Sequence, residues 1–536
     1  HFSLSKLPIC KGYSERKSNM YNEKIGLIDI GSNTIRLVVY AIDHRFNITE
    51  LQNIKTPARL SQYLERSKKS VVMSQTGIDL LIEVLQSFKI VADKAGVDKL
   101  FPVATAAIRQ SDNRDDILAQ VKKQVGIEIT ILSEKQEATF GQYAILHSVD
   151  VPDGITIDIG GGSCEVTLFK NQKMVQFHSF PFGNVTLKEQ FFKNKKHNDA
   201  SAVDAVRKYI REQFKSLPWL KKAKLPIVAM SGSARNIAYV HQRLNEYPIA
   251  GIQGYHMTED SLNQTLDLFM ATDLDDMGNI DGLSNDRVDI IIPANIVFLE
   301  LLNTVKAPIF ILSNQGLREG FVLTYINEHY HSPIDARNNK LRTVQQVADK
   351  MNILPEGSIL RVNYAIKLYQ ALSEADVIRY DDQLKYELEF ASYLYRFGSM
   401  ISSEADSQHT FYIISNMDLL GFSHHDRLRL ALLSSFKSKS MMMRYLRYFP
   451  DWLTEDEIKE LLILGGIIKV SDALNDSQTQ PIKDLNFIKK SKNKYQLVIY
   501  HTAPVVAEAY RTNRHLKHLS RVLDGNLELK FVELEY

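Results

Sequence analysis

Lys24-Ile25-Gly26-Leu27-Ile28-Asp29-Ile30-Gly31-Ser32-Asn33-Thr34 reads as an apolar strand that ends on an aspartate and breaks into a turn of small polar residues. Gly154-Ile155-Thr156-Ile157-Asp158-Ile159-Gly160-Gly161-Gly162-Ser163 follows the same plan. Each turn runs on into a second apolar stretch, Ile35 to Tyr40 and Val166 to Phe169, which reads as the return strand of a hairpin. Small residues let backbone N–H groups close on phosphate oxygens, and a strand-end carboxylate can hold Mg²⁺ through water. One such turn is most simply a plain hairpin. Two copies of one plan point to duplicated lobes facing a cleft.

Outward from these turns the pattern is mixed α/β. Ser74 to Ala95 carries apolar residues at helical spacing, Leu100 to Ala104 reads as a strand, and Ile117 to Val125 as a helix. Strand Ile127 to Leu132 and helix Glu134 to Leu146 follow. The second lobe continues with helix Ala200 to Phe214, strand Pro226 to Met230, the turn Ser231 to Ala234 and helix Arg235 to Leu244. Strand Pro308 to Leu312 then leads through Ser313-Asn314-Gln315-Gly316 into a helix at Leu317. Such alternation predicts sheets covered by helices. Lobe I is expected over residues 21–146 and lobe II over 147–333, with a linker at Asp335 to Asn339. Residues 334–536 are expected to be mostly helical, with helices at Ile359 to Ser373, Gln383 to Arg396, Asp426 to Phe436 and Glu455 to Ile468. A strand, helix and strand at Tyr495 to Tyr500, Val505 to Leu519 and Leu527 to Glu533 close the chain.

The composition suits ordinary folded domains: 536 residues, 44% hydrophobic and 24% charged, which excludes collagen-like, disordered and disulfide-stapled classes. The formal net charge is only +2, so any affinity for a polyanion must come from local basic tracks. Cys10 and Cys164 are too few for a disulfide framework and lack metal-ligand spacing, and no apolar run approaches the ~20 residues of a membrane span. A reducing cytoplasm is the expected compartment, with neither membrane nor nucleic acid as a partner. Residues 1–20 are expected to be a disordered tail, with Met20 a candidate natural start.

The sequence resembles the exopolyphosphatase/guanosine-pentaphosphate phosphohydrolase (Ppx/GppA) family. The motifs that carry the resemblance are Asp29 to Thr34 with Arg36, Ala104-Thr105-Ala106-Ala107-Ile108-Arg109, Glu137-Ala138 inside Ile131 to Gly141, and Asp158 to Ser163 with Glu165. They continue with Phe182-Gly183-Asn184-Val185-Thr186-Leu187, Gly232-Ser233-Ala234 and Leu317-Arg318-Glu319-Gly320, in order over about residues 24–330. The resemblance implies two actin-like, ribonuclease-H-like (ASKHA) lobes followed by a helical domain related to the HD phosphohydrolases. It implies Mg²⁺-dependent hydrolysis of a terminal phosphoanhydride, releasing orthophosphate from polyphosphate or from guanosine pentaphosphate in the stringent response. A homodimer is also what the family suggests.

Carried over by position, the resemblance makes Glu137 the general base for the attacking water, with Glu134 the nearby alternative on the same helix. Arg109 would grip a phosphate oxygen in a fork that Lys cannot reproduce, although spacing alone fits a surface ion pair equally well. Asp158 joins these two as a catalytic residue, and Asp29, Asp158 and Glu165 are the expected Mg²⁺ ligands. Gly31, Ser32, Asn33, Thr34, Gly160, Gly161, Gly162 and Ser163 would wrap phosphate oxygens. Arg318 and Glu319 read as a structural pair at the interlobe hinge.

The tail departs from the family. Where HD relatives carry a His-Asp or His-Glu pair, this chain has Tyr395-Arg396, and His409 alone cannot make a divalent site, so no second catalytic centre is expected there. The pair His424-His425 reads as solvent-exposed, and Cys164 lacks a proton acceptor that would make it a nucleophile. Three basic tracks remain: Lys437, Lys439, Arg444 and Arg447; Lys489, Lys490, Lys492 and Lys494; and Arg511, Arg514, Lys517, His518 and Arg521. These suit a long polyphosphate and favour an exopolyphosphatase over a guanosine-pentaphosphate phosphohydrolase. A non-catalytic sensor of a phosphorylated ligand is the third reading, against which the retained Glu137, Arg109 and both Asp-Ile-Gly turns argue.

Overall fold

Glu23–Ile30 (β1) and Ile35–Ile42 (β2) are almost wholly buried along their eight residues, as strands covered on both faces must be. Their side chains alternate between two cores: Ile28, Ile30, Leu37 and Val39 enter one, and Ile25, Leu27, Val38 and Tyr40 the other. The chain is described here by a computed structural model covering residues 22–67, 70–331, 338–353, 355–521, 523 and 525–534. The expected tail at 1–20, with Cys10, and linker residues 335–337 lie outside the described residues.

Two compact units are present, one of residues 22–247 and 252–331, the other of residues 338–534 with Pro248–Gly251. In the first, β1 pairs antiparallel with β2, β2 with Ile48–Thr56 (β3), and a small ribbon follows from Leu64–Arg66 (β4) and Val71–Met73 (β5). Lys99–Ala104 (β6) lies parallel to β1, and Thr130–Ile131 (β7) parallel to β6, giving the order β3-β2-β1-β6-β7. The second sheet repeats this plan. Gly154–Ile159 (β8), Cys164–Lys170 (β9) and Lys173–Phe180 (β10) form the antiparallel meander, and Ile227–Ala229 (β11) runs parallel to β8. His256–Met257 (β12) and Phe310–Leu312 (β13) complete the order β10-β9-β8-β11-β13-β12. This is the duplicated actin-like α/β architecture.

The register makes the repeat chemically informative. Asp29 lies opposite Arg36 across β1 and β2, whereas Asp158 lies opposite Glu165 across β8 and β9. Equivalent positions therefore hold a neutralising pair in one sheet and two like charges in the other, an arrangement that is destabilising unless something else compensates it.

Two helices cross beside the sheets. Glu134–Leu146 begins in a capping box in which Ser133 and Gln136 satisfy each other's backbone amides, and this fixes Glu137 in the first turn. Leu317–Tyr330 passes it so closely that a methyl on Gly320 would lie 1.8 Å from the Phe140 carbonyl oxygen. Only glycine fits at that crossing.

The second unit packs the helices Asn339–Lys350, Pro355–Glu374, Asp382–Tyr393, Asp406–Asn416, His424–Ser434, Lys439–Leu446 and Glu455–Ala473. It ends in a sheet of Ile482–Ser491 (β14), Lys494–His501 (β15) and Asn526–Glu533 (β16), ordered β14-β15-β16. Several expectations need correction. The strand expected over 127–132 is reduced to β7, and the helix expected over 505–519 is two pieces, Val506–His515 and Lys517–Ser520. His424 is buried at the start of its helix rather than exposed, while exposed His425 contacts Glu457 at 2.9 Å. At the HD-like position Tyr395 donates to the Phe436 carbonyl at 2.9 Å and Arg396 pairs with Asp406. Arg361 and Arg511 both pair with Asp472, at 3.0 and 2.9 Å.

Candidate active site

The site is built where β6 and β8 end and β9 begins, beside the first turn of the helix Glu134–Leu146. Beyond β6 the chain turns into the short helix Ala106–Arg109, and Arg109 Nη1 donates to the Leu132 carbonyl at 2.8 Å and to Glu137 Oε1 at 2.6 Å. Burial separates the two glutamates: the Glu137 side chain is 10% exposed and that of Glu134 48%, with Glu134 3.9 Å from Arg109 Nη2. Nη2 itself is buried and has no hydrogen-bond partner. Arg109 therefore aligns Glu137 with one nitrogen, while the other has only the longer contact to Glu134.

Glu137, Asp158 and Glu165 line one small hollow together with Thr156, Thr167 and Met230. Its volume is about 10 Å³, about the room one water needs. Burial raises Glu137 well above the ordinary carboxylate range, the charge of Glu165 adds to the effect, and Arg109 opposes it. Glu165 is raised by burial and by Asp158, against hydrogen bonds from Ser163 and Ser179. Asp158 is pushed up to about 6, mainly by burial, with Arg235 as the chief opposing charge. Clustered, desolvated carboxylates of this kind mark sites that handle protons or cations.

The two small-residue turns meet face to face. Gly31 N–H donates to Thr34 O, and Gly160 N–H to Ser163 O, both at 3.0 Å, so the two turns close by the same bond. The amides of Gly31 and Gly160 thus donate within the turns. The expected phosphate contacts of these turns would fall first to the amides of Ser32, Asn33 and Thr34 and of Gly161, Gly162 and Ser163. A methyl on Gly161 would come within 3.0 Å of Ser32 Cβ, and one on Gly183 within 2.4 Å of the Gly161 carbonyl carbon. Small residues at these positions allow the turns and the following segment to touch.

Around the strand-end aspartates stand more cations than the sequence suggested. Arg318 Nε is 3.8 Å from Asp29, and its Nη1 is buried without a hydrogen-bond partner, as is Asn33 Nδ2. Glu319 does not form the expected pair with Arg318. It accepts from Tyr40 Oη at 2.9 Å and from the Gly316 amide at 2.8 Å, capping its own helix. Arg235, lowered to about 10 mainly by burial and then by Arg318, and Arg287, lowered mainly by burial, also act on Asp158. Sequence reasoning missed both. Arg235 follows the quoted Gly232-Ser233-Ala234 motif directly, which was the available signal. Arg287 has no motif of its own and reaches the site by passing Gly232, where a methyl would lie 2.8 Å from its Nη2. On the other side of the turns a second hollow of about 40 Å³ is bordered by Asn33, Arg59 and Lys188. There Asp289 binds Lys188 at 2.5 Å and Arg59 at 3.7 Å, and Lys55 pairs with Asp286 at 2.6 Å.

Among the described residues no three His, Cys, Asp or Glu side chains are grouped so as to hold a metal ion by themselves. Asp158 and Glu165 nevertheless face one another across paired strands, and Asp29 adds to the negative potential at Asp158. Magnesium typically takes one or two carboxylates and completes its shell with water and phosphate oxygens, so this hard-oxygen set fits it. Cys164 is fully buried and its thiol is held well above its usual range by burial, which suits a packing residue.

A family model described as "Ppx/GppA phosphatase family" matches residues 38–329, and one described as "Ppx/GppA phosphatase, domain III" matches residues 340–518. The chain is 27% identical to a bifunctional 3-dehydroquinate synthase/phosphatase of Fusobacterium nucleatum, over 55% of this chain and 46% of that protein. The match thus spans less than half of that relative's length. It is 24% identical to a guanosine-5'-triphosphate,3'-diphosphate pyrophosphatase of Photobacterium profundum, over 77% of this chain and 80% of the relative. Among solved structures, an exopolyphosphatase from Cytophaga hutchinsonii superposes with a TM-score of 0.52 at 21% identity, covering 57% of this chain and 98% of that one, a likeness of fold.

Proposed function

The chain belongs to the Ppx/GppA phosphatase family, and from that premise we propose that it is an exopolyphosphatase, removing the terminal phosphoryl group of inorganic polyphosphate. The observation that supports this reading is the hollow of about 10 Å³, with room for one water beside Glu137, Asp158 and Glu165. In the reaction the water oxygen attacks the terminal phosphorus while Glu137, held by Arg109, takes its proton. The P–O bond to the bridging oxygen breaks, its electron pair stays on that oxygen, and the chain leaves one orthophosphate shorter. Phosphoryl transfer of this kind depends on positioning and charge neutralisation more than on covalent chemistry. Arg109 Nη2 and Arg318 Nη1, buried and without hydrogen-bond partners, are suited to the phosphoryl oxygens. Asp158, with Glu165 or Asp29, would hold Mg²⁺, which when bound supplies further neutralisation of the phosphoryl oxygens.

Past the turns Arg59 and Lys188 border the second hollow, but Asp289 and Glu189 border it too and Asp289 pairs with both cations, so the preference for polyphosphate rests on the basic tracks of the sequence. The second reading, a guanosine-pentaphosphate 5'-phosphohydrolase, rests on the relative of that name and uses the same water and base. Orthophosphate release with Mg²⁺ from long-chain polyphosphate and from guanosine pentaphosphate, by wild type and Glu137→Gln, tests both. Faster release from polyphosphate, abolished by the substitution, is expected. The reverse preference promotes the nucleotide reading, and binding without release points to a sensor.

A further inference from the structure

Two of the three basic tracks converge within the helical unit. Lys437, Arg444, Arg447, Lys469, Arg514 and Lys517 line one cavity of about 540 Å³, and among the described residues no carboxylate lines it. The third track does not join them: Lys489 and Lys490 lie on β14, where Lys490 pairs with Glu528 at 3.5 Å. The cavity draws on separate elements, with Arg444 on Lys439–Leu446, Lys469 on Glu455–Ala473, and Arg514 and Lys517 on the last two helices.

The cations at its rim are exposed, but the one at its floor is held out of solvent. Lys469 is 7% exposed and lines the cavity, with no ion pair or hydrogen bond to the protein among the described residues. The nearest carboxylates are already engaged, Asp406 by Arg396 and Asp472 by Arg361 and Arg511. Burial, and after it the Arg396 charge, lower Lys469 to about 8. His515 and His518, lowered to about 4 by burial and then by Lys469, also line the cavity, and the His515 Nδ1 is buried without a hydrogen-bond partner. A buried cation without an ion-pair or hydrogen-bond partner is destabilising, and one partner that resolves every unpaired group here is a compact, highly charged anion. The volume lies in the range of small-molecule sites.

We propose that this cavity is a second, non-hydrolytic site that binds a small oligophosphate, a run of a few phosphoryl groups carried free or on a nucleoside. Among the described residues no carboxylate lines it to hold a divalent cation beside the phosphoryl groups, so its ligand is retained and not cut. Flexible lysines and forked arginines around one bounded volume suit adjacent phosphoryl groups rather than a single carboxylate or sulfate.

The test uses the full chain carrying Glu137→Gln, titrated calorimetrically with inorganic tripolyphosphate and, separately, with guanosine 5'-triphosphate. Because only binding is read, the result is independent of what the cleft hydrolyses. Tripolyphosphate is expected to fill two classes of site, and adding Arg444→Ala, Arg514→Ala and Lys517→Ala, all at exposed positions, should weaken one class at least tenfold and leave the other. Equal binding of the nucleotide to the affected class assigns recognition to phosphate alone, and its failure to bind there assigns the free chain. Lys469→Met should weaken the same class while raising the thermal midpoint, a combination a merely structural lysine would not give. Unchanged stoichiometry and affinity in the triple variant would overturn the proposal.

Discussion

The cleft of the α/β unit and the cavity of the helical unit are electrostatic opposites. Around Glu137, Asp158 and Glu165 burial crowds carboxylates until their proton affinities rise. Around Lys469, His515 and His518 burial crowds bases until theirs fall. Neither arrangement is self-sufficient, since in both the folded protein holds like charges out of water. The difference lies in what resolves the strain. The cleft has interleaved arginines and room for one water, so it is equipped to move a proton beside a phosphate. Among the described residues the cavity is lined by cations and imidazoles without a carboxylate and has far more space, so it is equipped to hold an anion.

The largest effect that would sharpen this contrast is expected at Glu137. Glu137→Gln should lower orthophosphate release by roughly 10²–10⁴-fold, the usual worth of a positioned base, while Glu134→Gln changes it little. Equal losses in steady-state assays would dissolve the distinction that burial draws between them. Arg109→Lys keeps the charge but loses the fork that holds Glu137 and leaves Nη2 for phosphate. It should reduce kcat by about tenfold or more, and a wild-type rate would show that alignment by Arg109 is unimportant.

Proton linkage gives smaller, signed effects. Glu165 raises the proton affinity of Glu137, so Glu165→Gln should move the acid limb of the rate–pH profile to lower pH. A limb that stays in place would separate the two carboxylates. Asp158 is raised to about 6, so stability that is complete below its unfolded pKa is lost as pH rises through 6, unless a cation compensates. Thermal melts should therefore show Mg²⁺ stabilising the protein more at pH 8 than at pH 5, and an equal shift at both would argue against binding at these carboxylates. In the cavity the sign reverses. Lys469 is lowered to about 8 from 10.5, so its stability contribution is present above 10.5 and lost as pH falls through 8. The thermal advantage of Lys469→Met should accordingly be larger at pH 7 than at pH 10.

Much of the cleft was legible because it is carried by contiguous motifs. The two apolar strands with Asp29 and Asp158 at their ends could be paired by pattern alone, and β1 and β8 indeed occupy equivalent places in their sheets. Edge strand β3 escaped because most of its side chains are polar and exposed, so neither alternation nor an apolar run marks it. Arg287 and the partnership of Arg318 with Asp29 were hidden for a different reason, since they depend on which side chains meet across distant segments. The basic tracks were visible as residues but not as a cavity. Nothing in the spacing of Arg444, Lys469 and Arg514 says that three helices bring them around one volume.

The crossing at Gly320 gives the cleft an axle. With the Phe140 carbonyl filling the space a side chain would need, the two helices cannot slide along one another without losing that seat. Glu137 lies one turn from the crossing on one helix, and Arg318 two residues from it on the other. Points near an axle travel least for a given rotation. Rocking of the lobes about this joint would therefore displace Glu137 and Arg318 less than residues far from it.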